Sequence, residues 1–213
     1  MAKVRSLRRR RPTRVVGRKI IIVCEGEKTE PEYFEAIRIS LRLPTLKVHV
    51  VHPNGTDPLT IVLEAIAQRS IREMDKSWTT GDSAWAVYDG DEHQLINPHN
   101  WNDAIQLAAR KKINLAVSNP CFELWYVLHF QPQTANLSRQ DAIRVLRKHI
   151  PDYQKSKILW PVPLRPITEV AIQRARQLAE QAARDLLVPH TNPCTGVGEL
   201  VVNLLELEKE VIT

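Results

Sequence analysis

No apolar run in this sequence approaches the roughly 18 residues that a membrane span needs. The basic N-terminus is not followed by the apolar stretch of a secretory signal, so a soluble cytoplasmic protein with no membrane partner is expected. Cysteine is scarce: Cys24, Cys121 and Cys194 are odd in number and far apart. That excludes a disulfide framework and the paired spacing of a zinc site, and leaves free thiols in a reducing compartment. A nucleotide P-loop is also missing, because no glycine-rich stretch ends in Gly-Lys-Ser/Thr, so any ATP dependence must come from another chain. Acidic residues are absent from the first 19 positions, which hold nine of the 30 Lys and Arg and leave 21 bases against 24 acids in the rest. The formal charge of +6 is therefore a property of a tail, not of a fold. Residues 1–18 read as a disordered basic arm, in which Arg8, Arg9, Arg10 and Arg11 either contact nucleic-acid phosphates or simply keep the chain solvated.

What is present is an alternation of strands and helices. Lys19 to Cys24 is a short β-branched run, the mark of a strand buried on both faces. Thr29-Glu30-Pro31-Glu32 then reads as a capping box opening a helix, with Tyr33, Phe34, Ile37 and Leu41 at helical spacing. Leu46 to Val51 forms a second strand, Asp57-Pro58 opens a second helix, and Ser83 to Tyr88 forms a third strand. After a polar loop come a third helix over Trp101 to Lys111 and a fourth strand over Ile113 to Val117. The expectation is an α/β core over 19–119, a four-stranded parallel sheet flanked by helices. The stretch 120–213 has no comparable strand signal and reads as a helical extension packed on the core, with helices near 120–130, 138–149, 168–187 and 195–209.

The chemistry lies where the strands end. The first strand runs into Glu25-Gly26-Glu27 and the third into Asp89-Gly90-Asp91-Glu92. Ligands in parallel sheets sit beyond the carboxyl ends of the strands, so these carboxylates converge on one crevice. Clustered carboxylates without His or Cys form hard oxygen ligation, suited to Mg²⁺ or Mn²⁺ rather than zinc, and like charges so close need a cation. Spacing alone leaves the plainer alternative open, since Asp-Gly is an ordinary turn dipeptide.

Glu25 followed by Asp89-x-Asp91 resembles the TOPRIM pattern shared by topoisomerases, primases and overcoming-lysogenization-defect nucleases. The block Val23-Cys24-Glu25-Gly26-Glu27-Lys28-Thr29-Glu30-Pro31-Glu32-Tyr33-Phe34 resembles the opening of the RloB family. Ser118-Asn119-Pro120-Cys121-Phe122-Glu123-Leu124-Trp125 and Asn192-Pro193-Cys194-Thr195 resemble its later blocks, in order, with Cys194 standing where a Ser is expected. The resemblance spans nearly all of residues 20–208. It implies a TOPRIM-like, Rossmann-like fold and a place in restriction or abortive-infection defence beside an AAA- or ABC-type ATPase. It also implies metal-dependent cleavage of DNA or RNA, with Glu25 as catalytic acid/base or metal-linked carboxylate and Asp89 and Asp91 as metal ligands. A non-catalytic module that senses nucleic acid or nucleotide is the competing reading, and self-association is left open.

Other residues carry two readings. Glu27 and Glu123 are further candidate ligands, or a loop charge and a helix N-terminal charge. Glu30 and Glu32 are assigned to helix capping, and Asn119-Pro120 to a helix start. Lys28, Lys155 and Lys157 are candidate phosphate contacts, or solvated loop lysines. His129 lies six residues after Glu123, off its helical face, which excludes a paired zinc motif and makes it a packed histidine. Trp85, Trp101 and Trp125 belong to the core, while Trp78 and Trp160 fall in loops and stay open.

Overall fold

The computed structural model describes residues 18–45, 48–51, 53, 55–157 and 159–212, with the side chains at 91, 92, 211 and 212 outside that description. A single sheet runs through the molecule in the order β2-β1-β3-β4-β5. Its strands are β1 (Ile20–Cys24), β2 (Val48–Val51), β3 (Ser83–Asp89), β4 (Asn114–Asn119) and β5 (Cys194–Thr195). The first four pair in parallel, as the alternation of strands and helices leads one to expect. The fifth pairs antiparallel with β4, Ser118 opposite Thr195 and Asn119 opposite Cys194, and the Ser118 and Thr195 hydroxyls meet at 2.8 Å. The sheet is thus five-stranded and mixed, not four-stranded and all-parallel. Two residues carry no periodicity, so a strand this short leaves no sequence signal.

Alternation along the strands fills two layers. Ile20, Ile22, Cys24, Trp85, Val87 and Ala116 face a large core shared with helix α1 (Thr29–Ser40) and with the later helices α5 (Glu123–Phe130), α6 (Arg139–His149), α7 (Thr168–Arg184) and α8 (Val197–Ile212). Ile21, Val23, Ala84, Ala86, Tyr88 and Val117 face a smaller one, covered by α2 (Pro58–Met74) and α4 (Pro98–Lys111). The helix α3 (Asp91–Ile96) occupies what the sequence suggests is a polar loop. Among the described residues no helix is long and apolar enough to cross a membrane.

Helix starts differ from the sequence reading where side chains have other work. Asp57 caps α2 as expected, accepting from the Thr60 N–H at 3.1 Å. Thr29 does not cap α1: its hydroxyl donates to the Lys155 carbonyl at 2.9 Å, and Lys28 at the cap position makes no side-chain bond. Asn119 ends β4 and sends its amide to the His190 carbonyl at 2.9 Å, so α5 begins only at Glu123. Ser138 forms a true capping box with Asp141 at the start of α6. At the opposite end of the sheet from these turns, Arg18 pairs with Glu206 and Glu210 of α8 at 3.3 and 3.1 Å, clasping the approach to β1 onto the last helix.

Candidate functional site

The parallel ladder carries two acidic residues to one rim. The Glu25 N–H still bonds to the Val87 carbonyl at 2.9 Å and the Gly90 N–H to Ser118 at 2.9 Å, so both chains leave the sheet at the same level. Glu25 then folds across the strand end, and its Oε2 accepts the Asp89 N–H at 2.8 Å while its Oε1 lies 2.9 Å from His93 Nε2. Asp89 is itself fully engaged. Its Oδ1 accepts the Phe122 N–H at 2.9 Å, at the threshold of α5, and its Oδ2 accepts Arg139 Nη1 at 2.9 Å. Arg139 is the first residue of α6, so the capping box at Ser138 sets the guanidinium in place.

Around this pair opens a cleft of about 380 Å³, walled by Glu25, Gly26, Glu27, Lys28, Thr29, Glu30, Thr56, Asp89, Phe122, Glu123, Arg139 and Lys155. Two of its carboxyls are nearly sealed, Glu30 at 6% exposure and Glu123 at 2%. Glu123 accepts the Tyr153 hydroxyl at 3.1 Å. The Glu30 carboxyl lies against Gly26, where a methyl group would come within 2.0 Å of Oε2. Gly26 is required for space; neither it nor Gly90 has the left-handed backbone of a tight glycine turn.

Burial dominates the electrostatics. It pushes the Glu30 carboxyl from 4.5 up to about 7, against the pull of its own backbone N–H and with help from the charges of Glu25 and Glu123. Burial likewise raises Asp89 well above the usual carboxylate range, aided by Glu30 and opposed by Arg139. Cys121 is raised by burial and by neighbouring Glu123 and Asp89, which leaves it a thiol. A cavity edge that disfavours negative charge on two of its own carboxyls, Glu30 and Asp89, is one that a cation relieves.

The structure therefore brings together Glu25, Asp89, Glu27 and Glu123 of the residues singled out in the sequence, with Lys28 and Lys155 at the cleft wall. Lys157 instead pairs with Asp152 at 2.5 Å. The Asp91 side chain and Arg8, Arg9, Arg10 and Arg11 lie outside the described residues. Three participants escape the sequence reading: Glu30, assigned to capping, His93 and Arg139. Glu30 had a signal, since it precedes Tyr33, Phe34 and Ile37 by three, four and seven residues and so shares their buried face. His129 is packed as expected, with Nδ1 at 2.9 Å from the Trp125 carbonyl, and burial holds it down at about 4.

The carboxylate oxygens of the cleft suit a hard divalent ion, although the structure also brings His93 Nε2 to 2.9 Å from Glu25, where the sequence leads one to expect carboxylates without His. Among the described residues, however, no group of three or more His, Cys, Asp or Glu is arranged to hold one. The two oxygens of Asp89 meet Arg139 and the Phe122 N–H, and the Asp91 side chain lies outside the described residues. The family model of RloB-like proteins matches residues 20–204, and the chain belongs to that family. No curated protein and no solved structure matches it.

Proposed function

We propose that this member of the RloB-like family is a TOPRIM-like, divalent-metal-dependent nuclease of antiphage defence, cleaving phosphodiester bonds of DNA or RNA and restrained by an ATPase partner. One observation carries the reading: carboxylates from two strands meet at the rim, Glu25 Oε2 on the Asp89 N–H at 2.8 Å, in a cleft that also holds the buried Glu30 and Glu123. Glu25 and Asp89, with Asp91 from the start of α3, would hold Mg²⁺ or Mn²⁺. Such an ion, when bound, activates water and steadies the leaving oxygen. The chain's own residues do the rest. Lys28 and Lys155 give the cleft positive charge to meet a phosphate. Glu25 would handle a proton at Oε1, a reading supported by His93 Nε2 at 2.9 Å.

Purified protein with Mn²⁺ is expected to nick or cleave nucleic acid. Glu25→Ala and Asp89→Ala should each lower the rate at least about a hundredfold while circular dichroism shows a folded chain. Full activity in both variants would remove the site. The non-catalytic sensing reading is favoured by the Asp89–Arg139 bond, which leaves the carboxylate engaged without a metal. It predicts binding to nucleic acid and to the ATPase with no turnover under any divalent ion.

A further inference from the structure

Arg139 breaks a local rule. A cation in the first turn of a helix faces the positive end of the helix dipole, where carboxylates are favoured. Here the capping box of Ser138 and Asp141 fixes the helix start, and the guanidinium on the next residue crosses to Asp89 instead. Departures of this kind gather at functional sites. The contact is also selective between the two oxygens of Asp89. Oδ1 is held by a backbone N–H that side-chain motion cannot remove, while among the described residues Oδ2 is held by the Arg139 guanidinium.

Resting on the metal-dependent reading above, we infer that Arg139 is a resident substitute for the divalent ion: its guanidinium neutralises Asp89 Oδ2 in the metal-free protein and, displaced when an ion takes that oxygen, grips the substrate phosphate. Two positive charges do not share one carboxylate oxygen in a partly closed cleft, since their repulsion is strong where water is scarce. The Arg139 side chain is 27% exposed against 9% for Asp89, so the guanidinium has a path into solvent that the carboxylate lacks. Arg139 lines the acidic cleft and also borders a neighbouring groove formed with Asn119, Pro120, Leu137 and Ser138. Rotation about its side chain keeps it beside the reacting centre, with a planar fork that suits two phosphate oxygens. A purely structural brace would instead stabilise the arrangement of Asp89 that the ion needs.

The two roles give opposite signs in one titration. Mn²⁺ alone, titrated calorimetrically into the full chain, should bind Arg139→Ala about tenfold tighter than the parent, equivalent to ~1.4 kcal/mol. The same variant should bind a single-stranded oligonucleotide, with Ca²⁺ in place of Mn²⁺ to suppress cleavage, several-fold more weakly. Arg139→Lys keeps the charge without the fork, and is expected to lie between the two in both measurements. It decides the matter if thermal melting shows that Arg139→Ala does not fold. Mn²⁺ affinity equal to or weaker than the parent's in the folded variants overturns the exchange. Glu25→Gln and Asp89→Asn separate the two levels. If neither lowers Mn²⁺ affinity, the metal-site reading falls and this inference with it; if both do while the Arg139 variants bind no tighter, only the exchange falls.

Discussion

The acidic cleft and the aromatic layer beside it both hold buried side chains, and they affect stability in opposite directions. In the aromatic layer Tyr33, Phe122 and Tyr126 meet edge to face at 5.3 to 5.6 Å, and Trp125 Nε1 donates to the Tyr33 hydroxyl at 2.8 Å. In the cleft, Glu30, Asp89 and Glu123 are withdrawn from water with the Arg139 guanidinium at Asp89. Phe122 belongs to both regions, its ring in the layer and its N–H on Asp89. The difference teaches that the chain holds an unfavourable cluster of acids in place by anchoring it to a well-packed floor. Strain of this sort is what a site under selection for chemistry, rather than for stability, tends to retain.

The largest effect should come from the floor. Trp125 is fully buried, and Trp125→Ala is expected to cost about 3–5 kcal/mol in urea unfolding, since it opens a cavity and strips the Tyr33 hydroxyl of its donor. A cost near zero would break the contrast at its root. The cleft should respond the other way. Glu30 has its carboxyl raised from 4.5 to about 7, so between those pH values the folded chain keeps a proton that the unfolded chain has released. The Glu30 share of stability therefore falls as pH rises through that window, by about 3 kcal/mol, and levels off above it. Glu30→Gln should remove most of this slope and leave the variant about 2 kcal/mol more stable than the parent at pH 8; an unchanged slope would show that the carboxyl is not strained. His129, held down at about 4, gives the opposite slope over nearly the same window, its contribution being lost as pH falls from 6.5 towards 4, so the Glu30 share is read from the difference between the parent and Glu30→Gln. The smallest effect is the most local. Gly26→Ala should cost about 1–2 kcal/mol by pushing on the Glu30 carboxyl, and much less in a Glu30→Ala background. Additive costs in that double-mutant cycle would mean that the glycine serves something else.

Much of the frame was readable from residue patterns, because β1 is a continuous apolar run, β3 and β4 carry apolar runs over 84–88 and 115–117, and the helices between them have clear periodicity. Glu25 and Asp89 followed from that frame, since a strand end in a parallel sheet fixes where its next residues go. What escaped depends on contacts distant in sequence. Arg139 lies 50 positions from Asp89, and nothing in its own neighbourhood marks it beyond a basic residue after a good cap. Glu30 was hidden by a competing local explanation: a Thr-x-x-Glu pattern reads as a cap until Thr29 is found bonded to Lys155. The strand β5 exists only because Thr195 and Cys194 come to lie along β4, a tertiary event with no local propensity behind it.

The Arg18 clasp onto Glu206 and Glu210 places the two extremities of the described chain side by side, at the end of β1 remote from the cleft. A fluorophore or surface tether attached at either extremity would therefore sit away from the acidic cleft. The same adjacency makes the pair a natural seam for circular permutation, with new termini opened elsewhere. Because both ion pairs are partly solvated, raising ionic strength should loosen that seam without disturbing the sheet.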